Sequence, residues 1–228
     1  MKYYQFVIPL SRKVFGTNGN VALTNYEEYE KKLATIENFH NCQYLTFRLL
    51  QGHEDKIFVP EYKEKGSSSK ITNLLWIDGE IQDLCFDDNL KITIFNSFHF
   101  GLLFFETSLI YKGSNPLKYW YVIPRHEGSQ FIDFEKTLLE DQSSIENMEW
   151  VNSKFLNHND YTSYELKTKK LLHKKNLTII DNCDCDFFAL SNVFNRPVGY
   201  IVSERLREKI EKEKMTGMQF LEFDSKWP

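Results

Sequence analysis

Apolar and polar positions along this chain change period three times. At the start, Tyr4, Phe6 and Ile8 alternate imperfectly with Lys2, Tyr3 and Gln5, which predicts a first strand ending at Pro9. A polar turn at 16–19 follows. Thr24 and Glu27 then form a capping box, each side chain satisfying an amide at the start of a helix. Tyr26, Tyr29, Leu33 and Ile36 share one face of that helix, which is expected to run to about Phe39. From Cys42 to Ile123 the period shortens. Leu45, Phe47 and Leu49 alternate with Tyr44, Thr46 and Arg48, and further strands are predicted over 57–59, 71–77, 90–95, 102–111 and 119–123. Turn signals at 66–69, 78–79, 87–89 and 113–116 separate them. The apolar run 98–105 fits a strand or a helix equally well.

Beyond Ser143 helix and strand signals mix. Thr162 and Glu165 make a second capping box, opening a helix over 162–175 with Leu171 and Leu172 inward. Residues 177–180 read as a strand, and Cys183, Cys185 and Phe187 alternate onto one face. The clearest unit comes last. Strand 200–202 runs into Ser203, whose hydroxyl caps the following amides, and Glu204 opens a helix that Lys212 and Lys214 close in keeping with its dipole. Val202, Leu206 and Ile210 recur every four residues as an apolar stripe, and Glu208 can pair with Lys212. Gly217 is expected to stop the helix, and 218–223 to return as a strand. These elements predict an α+β fold: an antiparallel or mixed sheet with three principal helices, near 24–39, 162–175 and 203–214, and a C-terminal strand–helix–strand unit. A single domain over 1–228 is expected, and 113–116 is where a division would fall.

Composition limits the function classes. Of 228 residues, 42% are hydrophobic and 15% aromatic, enough for a substantial core. A net charge of −4 argues against a nucleic-acid partner. The opening Met1 to Pro9 is too short and too aromatic for a secretory signal, and the most apolar run, 101–105, is far below the ~20 residues that span a bilayer. The expected location is therefore cytoplasmic, with no membrane partner. Four cysteines, Cys42, Cys85, Cys183 and Cys185, show no disulfide framework, consistent with a reducing compartment.

Candidate chemistry is sparse. Cys183 and Cys185 lack the second ligand pair that a structural zinc needs, so they read as small buried hydrophobes, and neither metal nor cofactor is expected. His40, His53, His99, His126, His158 and His173 are scattered, and His158 to Asp160 reads as a polar surface loop. Phosphate-loop and nucleophile-elbow motifs are lacking, so no catalytic residue is assigned and the chain is not expected to be an enzyme. Two charge runs remain. Five acids without a base occupy 78–90, interleaved with apolar residues. They form either a solvated hairpin edge or an acidic, aromatic surface for a basic partner. The second reading makes Trp76, Asp78, Glu80, Asp83, Phe86, Asp87 and Asp88 the partner-binding candidates. Five lysines in 167–175 read as the wet face of a helix. Finally, five phenylalanines fall in 95–105, more than one strand face can bury, which makes that run the next place to look for a partner.

Several segments carry a resemblance. Gly199-Tyr-Ile-Val-Ser-Glu-Arg-Leu206 followed by Met215-Thr-Gly-Met-Gln-Phe220 resembles the C-terminal signature of bacterial polymorphic-toxin immunity proteins of the immunity protein 43 type, related to the immunity protein 11 type. Lys91-Ile-Thr-Ile-Phe-Asn-Ser-Phe98, Tyr111-Lys-Gly113, Lys118-Tyr-Trp-Tyr-Val-Ile-Pro124 and Phe131-Ile-Asp-Phe-Glu-Lys-Thr137 look similar to the same pattern, in order, with threonine where the family is expected to prefer serine at the last position. The resemblance covers the chain from about residue 90 onward; residues 1–89 add only the aromatic opening. It implies a cytoplasmic protein that neutralises a cognate secreted toxin by forming a stoichiometric complex. Protection of that kind needs nanomolar binding or tighter, about −12 kcal/mol, through an interface of roughly 1,600 Å². On the residues alone two alternatives stand beside it: a hydrolase or transferase with a dispersed site, and a structural subunit of an assembly.

Overall fold

The computed structural model describes residues 1–9, 12–15, 21–24, 59–75, 84–141, 149–150, 155–168, 172–174, 176–193 and 196–223. Within these the chain forms two mixed sheets. The larger has the order β12 (Gln219–Leu221), β1 (Tyr3–Val7), β11 (Arg196–Ser203), β10 (Phe187–Val193), β9 (Leu172–Lys174), β7 (Leu139–Asp141) and β8 (Glu149–Trp150), with β9 and β10 parallel and the other neighbours antiparallel. The smaller has the order β2 (Val21–Leu23), β3 (Tyr62–Glu64), β5 (Leu102–Ile110), β6 (Leu117–Pro124) and β4 (Leu84–Asp87), with β3 and β5 parallel. Helices α1 (Arg12–Phe15), α2 (Asp88–Phe95), α3 (His158–Thr168) and α4 (Glu204–Lys212) complete an α+β fold with three main helices, as the sequence predicts.

Strand β1 shows why alternation is imperfect at the start of the chain. It lies inside the larger sheet, between β11 and β12, and all five of its residues are buried. Tyr4 and Phe6 enter a core between the two sheets, whereas Tyr3 enters a second core on the opposite face. A strand covered on both faces has no wet side to mark with polar residues. Strands β10 and β11 divide in the same way, Phe187, Ala189, Tyr200 and Val202 facing the first core and Phe188, Leu190 and Ile201 the second. The smaller sheet adds Leu84, Phe86, Leu102 and Val122 to the first core, and the helices add Leu90, Ile94, Leu206 and Ile210. Phe6 is at its centre, with edge contacts to Phe187 at 5.2 Å, Phe220 at 5.9 Å and Phe86 at 6.3 Å.

In the C-terminal unit the strand, the serine cap and the apolar stripe of the helix form as read. Ser203 Oγ accepts from the Leu206 amide at 3.2 Å, and Val202, Leu206 and Ile210 are buried. Among the described residues the ion pair along α4 is Arg207 with Glu211, at 3.4 Å, in place of the expected Glu208 with Lys212. Gly217 has a different task from the one expected. The helix already ends at Lys212, and Lys214 turns the chain with φ +55°. Gly217, at φ +97°, passes so close to residue 74 that a Cβ there would stand 2.1 Å from the Leu74 carbonyl oxygen. Its glycine is needed for this contact between distant segments, after which β12 pairs with β1.

Other expectations require correction. The strand predicted over 90–95 is helix α2, and the turn signal 87–89 is its beginning. The helix predicted over 162–175 is α3, which starts at His158 because Asn157 Oδ1 accepts from the amides of Asn159 and Asp160 at 2.9 and 3.1 Å. The supposed loop 158–160 is therefore its first turn, and Leu172 belongs to β9. Lys174, read as part of a wet face, is fully buried, donating to Glu127 Oε1 at 3.1 Å and Tyr161 Oη at 3.2 Å. Of the strand predicted over 71–77, the described part shows a bridge from Leu74 to Phe86. Residues 177–180 contribute a bridge from Ile179 to Ile132. Cys183 and Cys185 face the second core while Phe187 faces the first, because β10 begins only at Phe187. Burial pushes the Cys185 thiol up to about 12. Residues 113–116 lie in the turn that joins β5 to β6. Of the helix predicted over 24–39 only Thr24 is described, its amide donating to the Glu61 carbonyl at 3.0 Å; the rest of it and the strand around 45–49 lie outside the described residues.

Candidate functional site

Helix α2 determines what this side of the molecule presents. Residues 90–95 are rich in β-branched and aromatic side chains, which favour strands. Asp87 overrides that preference. Its extended backbone (φ −73°, ψ 175°) and its Oδ1, accepting from the Leu90 amide at 2.9 Å, close a first turn, and Asp88 adds a negative charge at the helix's positive end. Leu90, Thr93 and Ile94 then fall on one buried face at helical spacing, and the opposite face carries Ile92, 51% exposed, and Phe95, 57% exposed. In a strand, Ile92 would have shared a face with Leu90 and Ile94.

Phe98, 47% exposed, lies on the loop after α2. The loop is fixed by Asp186, which is only 3% exposed. One carboxylate oxygen accepts from Ser203 Oγ at 2.5 Å and Arg205 Nε at 3.0 Å, and the other from Arg205 Nη2 at 2.8 Å and the Phe98 amide at 3.2 Å. The Asp186 amide in turn donates to the Phe98 carbonyl at 2.6 Å. A buried carboxylate is tolerated where such bonds replace its lost water.

Rings and charges join Phe95 and Lys91 of α2 to β5 and β6. The Phe95 ring meets His99 at 5.8 Å and Phe104 of β5 at 6.2 Å, and His99 meets Phe104 edge-on at 5.6 Å. Lys91 Nζ lies 4.9 Å from the Phe95 ring centre and 4.4 Å from that of Trp120 on β6. Lys118 Nζ lies 4.6 Å from Trp120 and pairs with Glu106 at 2.8 Å, and Trp120 Nε1 donates to Asp88 Oδ1 at 2.6 Å. Scattered exposed apolar side chains are ordinary. A connected group of aromatic residues with charges at its margin has instead the composition of a protein-binding surface.

The seven residues selected from the acidic stretch fare differently. Trp76, Asp78, Glu80 and Asp83 lie outside the described residues. Phe86 is 0% exposed and belongs to the inter-sheet core, so it is no surface anchor in the free chain. Asp87 is occupied as the α2 cap and also accepts from Asn73 Nδ2 at 2.7 Å; burial raises its carboxyl above the usual range against the pull of these bonds. Asp88 is exposed and holds Trp120. Sequence reading missed Trp120, Lys118, Asp186 and Arg205 as parts of the site. The one signal that pointed here was the excess of phenylalanine in 95–105.

The second core contains the Cys183 and Cys185 thiols, with Cys185 Sγ donating to the carbonyls of Phe98 at 3.3 Å and Phe187 at 3.6 Å. Among the described residues no group of three or more acids, histidines and cysteines is placed to hold a metal ion, and no helix is long and apolar enough to cross a membrane. No protein-family model matches this chain, and no curated protein matches it either.

Proposed function

We propose that the chain is a binding protein that neutralises a cognate toxin by forming a stoichiometric complex, as its resemblance to immunity proteins implies, and that the partner docks on the α2–β6 face. The observation that supports this reading is convergence. Lys91, Ile92, Phe95 and Phe98 come from one of the resembling segments, and Lys118 and Trp120 from another. The fold brings Lys91, Phe95, Lys118 and Trp120 together at the surface, with Ile92 exposed on the same helix and Phe98 on the loop that follows it. Ser203 and Arg205, from a third such segment, fix Phe98 through Asp186.

The chemistry of the face defines what it fits. Ile92 and Phe95 call for apolar groups; with about half of each already covered, the two together are worth roughly 1.5–3 kcal/mol when a partner covers the rest. Lys91 rests on two rings and forms no ion pair among the described residues, so a carboxylate on the partner is expected to meet it there. The surface thus favours an apolar segment bearing a carboxylate over the basic surface that the acids of 78–88 suggested, since Asp87 and Asp88 are already engaged.

The test is co-expression with the product of the adjacent upstream gene, followed by light scattering of the purified pair. Growth should return and a one-to-one complex should elute. In the Ile92→Ala/Phe95→Ala variant, affinity should fall by at least about 30-fold while the melting temperature moves by only a few degrees. Neither rescue nor complex would remove the toxin as partner. Unchanged affinity in the folded double variant would move docking to another face.

A further inference from the structure

His99 stands between Phe95 and Phe104, and its main chain is tied to the larger sheet. It forms a parallel bridge with Phe187, and the next amide, of Phe100, donates to the Phe187 carbonyl at 2.9 Å. Its ring is thus held where the two sheets and α2 meet. Nδ1 is buried and has no hydrogen-bond partner.

Among the described residues, the charged groups on the elements packed around it have partners of their own. On α2, Lys91 lies on Phe95 and Trp120, and Asp88 holds Trp120. On β5, Glu106 pairs with Lys118. On the side of β10 and β11, Asp186 is saturated by Ser203, Arg205 and the Phe98 amide. His126, after β6, packs on Phe100. Burial alone lowers the pKa of His99, with no charge adding to or opposing it. Neutral imidazole suits this place, because with the proton on Nε2 the buried Nδ1 is a bare lone pair rather than a donor. The imidazolium puts a second N–H at Nδ1, a buried donor with no acceptor.

We propose that His99 is a proton-sensitive support of the docking face: neutral, it holds Phe95 and Phe104 in their edge contacts, and on protonation it leaves them for water and the face loses the form that a partner meets. The consequence for a partner rests on the function proposed above; the rearrangement itself belongs to the free chain. The direction follows from linkage. A folded pKa below the ordinary value of about 6.5 means that the folded chain binds fewer protons than the unfolded one. The stability associated with neutral His99 is therefore complete above about pH 6.5 and is lost as the pH falls through the folded pKa.

The experiment is a pH titration of the free chain with isotope-labelled histidine and phenylalanine, followed by nuclear magnetic resonance. The His99 ring should titrate below the ordinary histidine range, and the ring signals of Phe95 and Phe104 should move with the same midpoint. Those movements should vanish in His99→Phe, or in His99→Gln should the first variant fold poorly. Titration of His99 in or above the ordinary range would overturn the proposal, as would Phe95 and Phe104 signals that stay still at its midpoint. A second arm measures the toxin complex at pH 7.5 and 5.5. Wild-type affinity should fall at least tenfold and the His99→Phe affinity should not; equal falls in both would overturn the coupling to binding. Coupled ring movements in a chain that binds no toxin at either pH would remove the proposed function and leave the free-chain rearrangement standing.

Discussion

Phe86 and Phe95 flank one short helix and meet opposite surroundings. Phe86, on β4, is enclosed where the sheets face each other, its edge towards Phe6, and is 0% exposed. Phe95, at the end of α2, shows more than half of its surface to water while touching Phe104, His99 and Lys91. Both have aromatic neighbours, so residue type and ring contacts do not separate them. The difference lies in what covers the far side of each ring: further core around Phe86, and solvent over Phe95. The inner ring has its stabilising transfer from water within the folded chain, whereas the outer ring keeps part of that transfer available for a partner.

The sharpest way to break this comparison is truncation of each ring. Phe86→Ala should cost about 3–5 kcal/mol of folding stability, because it removes buried surface and leaves a cavity. Phe95→Ala should stay within about 1 kcal/mol. Urea unfolding measures both, and equal losses would mean that the two rings do the same work. Next comes the tie between the regions. Asp186→Ala leaves the buried Ser203 hydroxyl and the Phe98 amide without their acceptor and should cost about 2–3 kcal/mol. It should also weaken toxin binding, since the Phe98 loop loses its anchor; undiminished binding would show that the loop holds its shape without Asp186. A smaller effect, about 1 kcal/mol, is expected for Asp87→Ala, which removes the α2 cap. The smallest belongs to Asp88→Asn. Stability should stay within about 0.5 kcal/mol, while the Trp120 fluorescence spectrum shifts as its hydrogen bond weakens.

The C-terminal unit was legible because everything that makes it is close in sequence. Ser203 caps an amide three residues on, the Val202–Leu206–Ile210 stripe has the helical period, and the flanking charges act along a single helix. Helix α2 was misread for the converse reason. Its β-branched residues favour a strand locally, and the outcome depends on the Asp87 cap together with packing against β4, β6 and α4, and on the Thr93 hydroxyl donating to Glu213, just past the end of α4, at 3.3 Å. That one change of element sends Ile92 outward and creates the candidate face.

Lys174 makes the same point from the other side. A run of lysines is ordinarily wet, yet this one is buried because the fold brings Glu127 and Tyr161 to it. The face itself needs α2, β5, β6 and the loop carrying Asp186 to meet, and no window of sequence contains all of them. The amino-acid sequence alone established the α+β class, the capped terminal helix and the surplus of phenylalanine in 95–105. Which of those rings became core and which became surface was decided only by the tertiary structure. Caps and periodicity act between residues a few positions apart, whereas burial depends on neighbours that arrive from distant parts of the chain.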